Sequence, residues 1–201
     1  MDGKERFKKM SAVTTINLLD LVDAIGEDET KNLLSDFSCS KNQEIENYVR
    51  KNALDFARRK ISMTHLVIDD QGRLAAMFAL THKAIEISGE GLSKTTRSKL
   101  QRFAELDETA DCFSVSAFLI AQFGKDDLAG CSLSGDSLMA SALDVLTAAQ
   151  RNVGGGVVYL ECENRPRLLK FYQSSHNGFR PFGQRFSEKD QVEYIQLLRF
   201  L

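Results

Sequence analysis

A chain of 201 residues has the length of one domain, and folding at this size buries roughly 70% of the unfolded surface without any covalent staple. Hydrophobic residues are 43% and charged residues 27%, with two prolines, which excludes a linker-dominated or disordered chain. Twenty-six Lys and Arg against 28 Asp and Glu give a formal charge of -2, which excludes retention on nucleic acid or an anionic membrane by bulk charge alone but leaves room for a local basic patch.

The charged segment Met1 to Met10 lacks an apolar signal region, and no apolar run reaches the length of a membrane span. The expected compartment is therefore the cytoplasm, with no membrane partner. Cys39, Cys112, Cys131 and Cys162 are too widely spread for metal-ligand spacing and read as reduced thiols. His65, His82 and His176 form no ligand pair, so no metal is expected.

Residues 1–14 read as a frayed polar leader and residues 15–201 as a single domain. From Thr15 to Leu34, the apolar positions Leu18, Leu19, Val22, Ile25, Leu33 and Leu34 predict two short helices broken near Gly26. Ser40 with Gln43 has the spacing of a capping box, ahead of an amphipathic helix from Glu44 to Lys60. His65 to Ile68, a turn at Asp69 to Gly72, and Leu74 to Ile87 predict an antiparallel hairpin. Ser93 to Leu106 reads as helical. Phe113 to Phe123 reads as a central strand, apolar on both faces.

A loop from Gly124 to Ser134, a helix from Gly135 to Asn152 and a strand from Val157 to Leu160 then follow. Strand, loop, helix, strand is a βαβ unit, so the two strands should be parallel. Pro166 opens a short helix through Tyr172, which Asn177-Gly178 ends. Two last strands are expected around Phe179 to Phe182 and Tyr194 to Phe200. The fold class is α/β (α+β): a mixed, mostly antiparallel sheet with one parallel crossover, flanked by helices.

Two stretches carry candidate chemistry. The helix starting at Gly135 offers N–H groups and a partial positive charge to a phosphate, with Ser132, Ser134 and Ser137 as hydroxyl donors. The plainer reading is that Ser134 caps the helix and the glycines only turn the chain. Tyr172 at a helix end has the phenol of a general acid; its plainer reading is a half-buried aromatic.

Together these stretches resemble the GNAT family of acyl-CoA-dependent N-acetyltransferases, from about Phe37 to Leu201. Phe171-Tyr172 with Asn177-Gly178-Phe179 is similar to the family's closing FY…GF motif. Leu119 to Asp126 resembles the strand that grips the pantetheine arm. Gly130 to Gly135 falls where the family has its pyrophosphate loop, although only Gly135 agrees with that pattern. The resemblance implies acetyl-CoA as co-substrate, held by Phe123, Lys125, Gly130, Ser134, Gly135, Asp136, Ser137 and Asn164. It implies direct attack of a primary amine on the thioester, with Tyr172 as general acid; Glu161 and Glu163, at the end of the parallel strand, are the candidates for the base, of which Glu161 is chosen. No covalent intermediate is implied. The acidic neighbours of Cys162 disfavour its thiolate.

Phe37-Ser38-Cys39, Ile45 to Leu54 and the hairpin resemble the acetyltransferase-toxin branch, which acetylates the amino acid on a charged tRNA. Lys94, Arg97, Lys99 and Arg102 on one helix are then a candidate phosphate-contact surface, or else a solvated face. A non-catalytic acyl-CoA-binding module on the same fold is a further alternative. The implied partner is an amine acceptor; tRNA belongs only to the toxin-branch alternative, which is not the favoured one, and a second copy of the chain is a further candidate.

Overall fold

The structure, a computed structural model, describes residues 13–127 and 133–201. The elements in chain order are β1 (Thr14–Asn17), α1 (Leu18–Ile25), α2 (Glu27–Ser35), α3 (Gln43–Asn47), a π-helical turn (Tyr48–Asn52), α4 (Ala53–Arg58), β2 (Met63–Ile68) and β3 (Leu74–Ser88). After them come α5 (Lys94–Leu100), β4 (Leu106–Asp107), β5 (Cys112–Lys125), α6 (Gly135–Val153), β6 (Val157–Glu163), α7 (Pro166–Tyr172), β7 (Arg180–Ser187) and β8 (Val192–Phe200). The sheet has strand order β1-β2-β3-β5-β6-β8-β7, with β4 beside β5. β5 and β6 are parallel across the α6 crossover, while β1–β2, β4–β5, β6–β8 and β7–β8 are antiparallel. This is the expected fold class.

The chain forms two compact units, one of Met1–Met77 with Gly124–Leu138 and one of Phe78–Phe123 with Met139–Leu201. In the first, α1 and α4 lie against β2 and against each other. Leu18, Phe37, Ala53, Ala57, Leu66 and Val67 are fully buried there. In the second, Ile85, Ile87, Leu100, Phe113, Val115, Val157, Tyr159 and Leu198 form one core.

Several sequence expectations need correction. Thr14, the last residue of the expected leader, pairs antiparallel with Ile68 as the first residue of β1. The residues before position 13, which make up the rest of the expected leader, lie outside the described residues. The predicted helix from Glu44 to Lys60 contains a π-helical turn at Tyr48, whose buried hydroxyl meets Ser62 Oγ at 3.0 Å and Thr64 Oγ1 at 2.9 Å. Its cap is Asn42, which accepts from the N–H of Glu44 and Ile45, and not the expected Ser40. Ser40 instead gives its N–H and hydroxyl to Asp127.

α5 is half its expected length. Phe103 turns back to Leu100 with a 2.8 Å backbone bond and stacks on Phe200 at 6.2 Å, so tertiary packing overrides helix propensity. β5 is central in the sheet, but Ser114 and Ser116 are exposed, so only one face of its first half is covered. β7 extends past its expected end to Ser187, with a bulge between Pro181 and Gly183 where proline interrupts the ladder.

Asn42→Ala removes the acceptor for two N–H groups at the start of α3. It is expected to lower the unfolding free energy by about 1 kcal/mol, read from urea denaturation midpoints.

Candidate functional site

In the first unit, the segment after β5 is stapled in place by its own acids. Asp126 accepts the N–H of Ser38 at 2.8 Å and gives its N–H to the Ala75 carbonyl at 2.9 Å. Asp127 gives its N–H to the Ser38 carbonyl, and hydrogen bonds from Ser40 hold its carboxyl below the usual range. Lys125 Nζ donates to the Leu133 carbonyl at 2.7 Å, tying the start of the loop to its end. Gly124 permits this approach, because a Cβ there would stand 2.7 Å from Ile45 Cγ2.

At the start of α6, Ser134 Oγ accepts the Ser137 N–H at 2.9 Å and meets Ser137 Oγ at 2.8 Å. Leu138 N–H closes the first turn onto the Ser134 carbonyl at 3.1 Å. The capping role of Ser134 is therefore present. α6 runs 19 residues from Gly135, so its positive dipole end stands beside Ser134, Asp136 and Ser137. Lys125, Ser134, Gly135, Asp136 and Ser137 thus belong to one segment pair, while Gly130 lies outside the described residues.

In the second unit, the parallel ladder between β5 and β6 covers only Phe118↔Val158 and Leu119↔Tyr159. Both strands run on, β5 through Phe123 and β6 to Glu163, while β6 stays paired to β8 along its other edge as far as Glu163↔Tyr194. Beyond Tyr159, the facing edges of the two strands therefore part. Backbone N–H and C=O groups along these edges are not satisfied by the β5–β6 ladder.

Tyr172 ends α7 on this side. Its ring is buried and edge-on to Phe171 at 4.9 Å and Phe179 at 6.0 Å, and Phe171 packs on Phe123 at 6.2 Å. Among the described residues, its hydroxyl has no hydrogen-bond partner. Burial, and then the neighbouring Cys162, push its ionisation well above the ordinary tyrosine value, so the phenol keeps its proton. Asn177, fully buried, was not singled out for this role. Its amide donates to the Phe171 carbonyl at 2.9 Å, and Phe179 N–H closes onto the Tyr172 carbonyl at 3.0 Å. The signal was present in the sequence as the Asn-Gly pair; Gly178 has φ 69.

Asn164 caps the end of β6. Its N–H donates to the Glu193 carbonyl at 2.9 Å and its amide nitrogen donates to Glu193 Oε2. Glu161 is differently placed from a free base. Arg185 Nε reaches it at 2.7 Å and Gln196 Nε2 at 3.0 Å, and the Tyr159 hydroxyl donates to it. Burial pushes its carboxyl up, but these hydrogen bonds outweigh burial and hold it below the usual value. A carboxylate this well solvated by donors is a poor proton acceptor. Arg185 also covers the Tyr194 ring at 4.8 Å.

Of the four expected basic residues around α5, Arg97 is committed to Asp111 at 3.0 Å and to the Gly89 carbonyl at 2.9 Å. Lys99 lies over Phe200, and Arg102 over Phe103. Lys94, Lys99 and Arg102 are exposed and Arg97 is half-buried. Among the described residues, no three His, Cys, Asp or Glu side chains are grouped to hold a metal ion, and no helix is long and apolar enough to cross a membrane. Cys39, Cys112 and Cys162 are free thiols.

The sequence matches no protein-family model and no curated protein. Solved structures, however, share its fold. A bacterial toxin is 14% identical, with a TM-score of 0.66 over 94% of this chain and 91% of the other. The protein AtaT in complex with acetyl-methionyl-tRNAfMet is 15% identical, with a TM-score of 0.63 over 91% and 94%. The NatC complex bound to Gag peptide and CoA is 13% identical, with a TM-score of 0.52 over 94% and 98%. The chain thus has the GNAT fold.

Burial, and then the Glu163 charge, push the Cys162 thiol from 9.0 to about 11. The unfolded chain ionises first, so this group leaves stability intact below pH 9.0 and erodes it as pH rises toward about 11. Cys162→Ala is expected to flatten the fall of the urea midpoint across that window relative to the unchanged protein.

Proposed function

We propose that the protein transfers the acetyl group of acetyl-CoA to a primary amine by direct attack. The observation that carries this reading is the parting of β5 and β6 beyond Tyr159, on a unit that also seats a protonated Tyr172 with no partner for its hydroxyl among the described residues. The residues present fit the co-substrate. Strand edges after Leu119 and the amide oxygen of Asn164 suit the amides of a pantetheine arm. The start of α6, with Ser134, Gly135, Asp136 and Ser137, suits a pyrophosphate. Acetyl-CoA supplies the activated acyl group.

The amine nitrogen forms a bond to the thioester carbonyl carbon as the carbon–sulfur bond breaks. Strand N–H groups stabilise the oxyanion that develops. Tyr172 gives its phenolic proton to the departing sulfur, and the proton lost by the amine nitrogen passes to solvent, from which the tyrosinate is reprotonated. In this reading Glu161 does not take that proton. It holds Arg185, Tyr159 and Gln196 in one network on β6, β7 and β8. Asn177 positions Tyr172 by fixing the end of α7. Cys162, with its raised thiol, takes no part.

A second reading gives the acceptor as the amino group of an aminoacyl-tRNA. It rests on likeness to AtaT in complex with acetyl-methionyl-tRNAfMet. Mass spectrometry of products from charged tRNA beside a panel of primary amines separates the two acceptors.

Tyr172→Phe keeps the ring and its aromatic contacts but removes the proton. It is expected to lower the acetylation rate constant about 10²-fold or more, with CoA affinity by calorimetry nearly unchanged. An unaltered rate at saturating amine removes Tyr172 from the mechanism. Binding of acetyl-CoA without turnover on any amine would favour a binding module.

A further inference from the structure

The second unit carries two adjoining cavities of about 390 and 580 Å³, which share Ser93, Thr96, Gly178, Arg180 and Leu198. The larger is also lined by Phe179 and Phe182, which pack on Tyr172 and Tyr159, while the smaller lies toward the far end of β8. The β6–β8 ladder runs from Glu163↔Tyr194, beside the parting, to Val157↔Phe200, and the smaller cavity is floored by Leu198, Arg199 and Phe200. The β7 ladder starts at Arg180↔Leu198, so β8 runs on past the start of its β7 ladder here.

Three cations line the smaller cavity: Lys99 from α5, Arg180 from β7 and Arg199 from β8. Among the described residues, no Asp or Glu lines either cavity. Among the described residues, none of the three cations has an acid partner, although Lys31, Arg50, Arg58, Arg59, Arg73, Arg97, Arg165 and Arg185 each do. Arg199 is half-buried and spends Nη1 on the Asn177 carbonyl at 2.6 Å, which orients its guanidinium and leaves further N–H donors. The hydroxyls of Ser93, Thr95 and Thr96 line the same wall.

Like charges gathered around one concavity repel one another unless an anion enters. The donor set exceeds what a single carboxylate accepts. Two guanidinium forks, one ammonium and several hydroxyls match the three terminal oxygens of a tetrahedral dianion. We propose that this groove, at the opposite end of the β6–β8 ladder from the parted strands, binds a phosphate ester. The groove is distinct from the parted strands, although Arg199 links it to Asn177. Its source is either a small phosphorylated compound or a phosphate of an RNA strand, and the two differ in their salt dependence.

The test is an amide NMR titration of the full chain free of CoA, with inorganic pyrophosphate in one arm, a short single-stranded RNA in another and CoA in a separate third. Saturable shifts at Thr95, Thr96, Gly178 and Arg180 are expected. The double substitution Lys99→Ala, Arg180→Ala should weaken binding roughly tenfold or more, the size of one or more charge-assisted hydrogen bonds. Arg199 is left in place because it also holds Asn177, and Arg180→Gln alone serves if the double variant does not fold. Tighter RNA binding that falls steeply with salt identifies a strand; equal or tighter pyrophosphate binding identifies a small compound. Absence of shifts with both probes, or shifts unchanged in the variants, overturns the proposal. CoA failing to bind would count against the acetyl-transfer reading alone, because the groove amides report separately.

Discussion

A parallel strand pair that stops pairing after two residue pairs is the constraint on which the rest of the second unit depends. Every buried N–H and C=O must find a partner, and β6 has one on each side only up to Tyr159. From Leu160 to Glu163, β8 satisfies one edge and leaves the other to whatever enters between the strands. Parallel pairing also dictates a long crossover, and the 19-residue α6 provides it. The fold therefore makes an opening at the carboxyl end of a central strand, where open α/β sheets place ligands.

The short α7 answers to the same geometry. Pro166 starts it where no N–H is needed, and Asn177 stops it by satisfying the Phe171 carbonyl from within the core. Between these limits there is room for two turns, and Tyr172 falls on the last residue. Its ring is fixed edge-on by Phe171 and Phe179, so the phenol has little freedom left to lose. The raised ionisation of Tyr172 and the lowered one of Glu161 divide the polar groups of the unit. One keeps its proton because it is buried without partners, the other stays charged because donors surround it.

The long periodic segments were legible in the sequence, and so was the βαβ order. Helices α1 and α2, strands β2 and β3, and the crossover follow from hydrophobic spacing and the turn at Gly72, which needs only local information. What escaped depends on distant partners. β1 is four residues long and exists because β2 offers an edge. Ser40 has the right spacing for a cap but is drawn off by Asp127, 87 positions away. α5 ends where Phe103 finds Phe200. For the site, Tyr172 could be named from its motif, whereas the engagement of Glu161 with Arg185 arises from a β7–β8 register that no local pattern encodes.

Charge shows the same limit most clearly. A formal -2 over the chain, and four basic residues in one predicted helix, pointed to opposite conclusions about an anionic partner. Neither quantity decides the matter, because an ion pair removes a charge from the surface without changing any count. Arg97 belongs to the basic helix yet is spent on Asp111. Arg180 and Arg199 belong to no basic run in the sequence, yet they share a cavity wall with Lys99 and no carboxylate. Where positive potential collects is set by which cations the fold leaves without an acid, and here three segments far apart in the chain each contribute one.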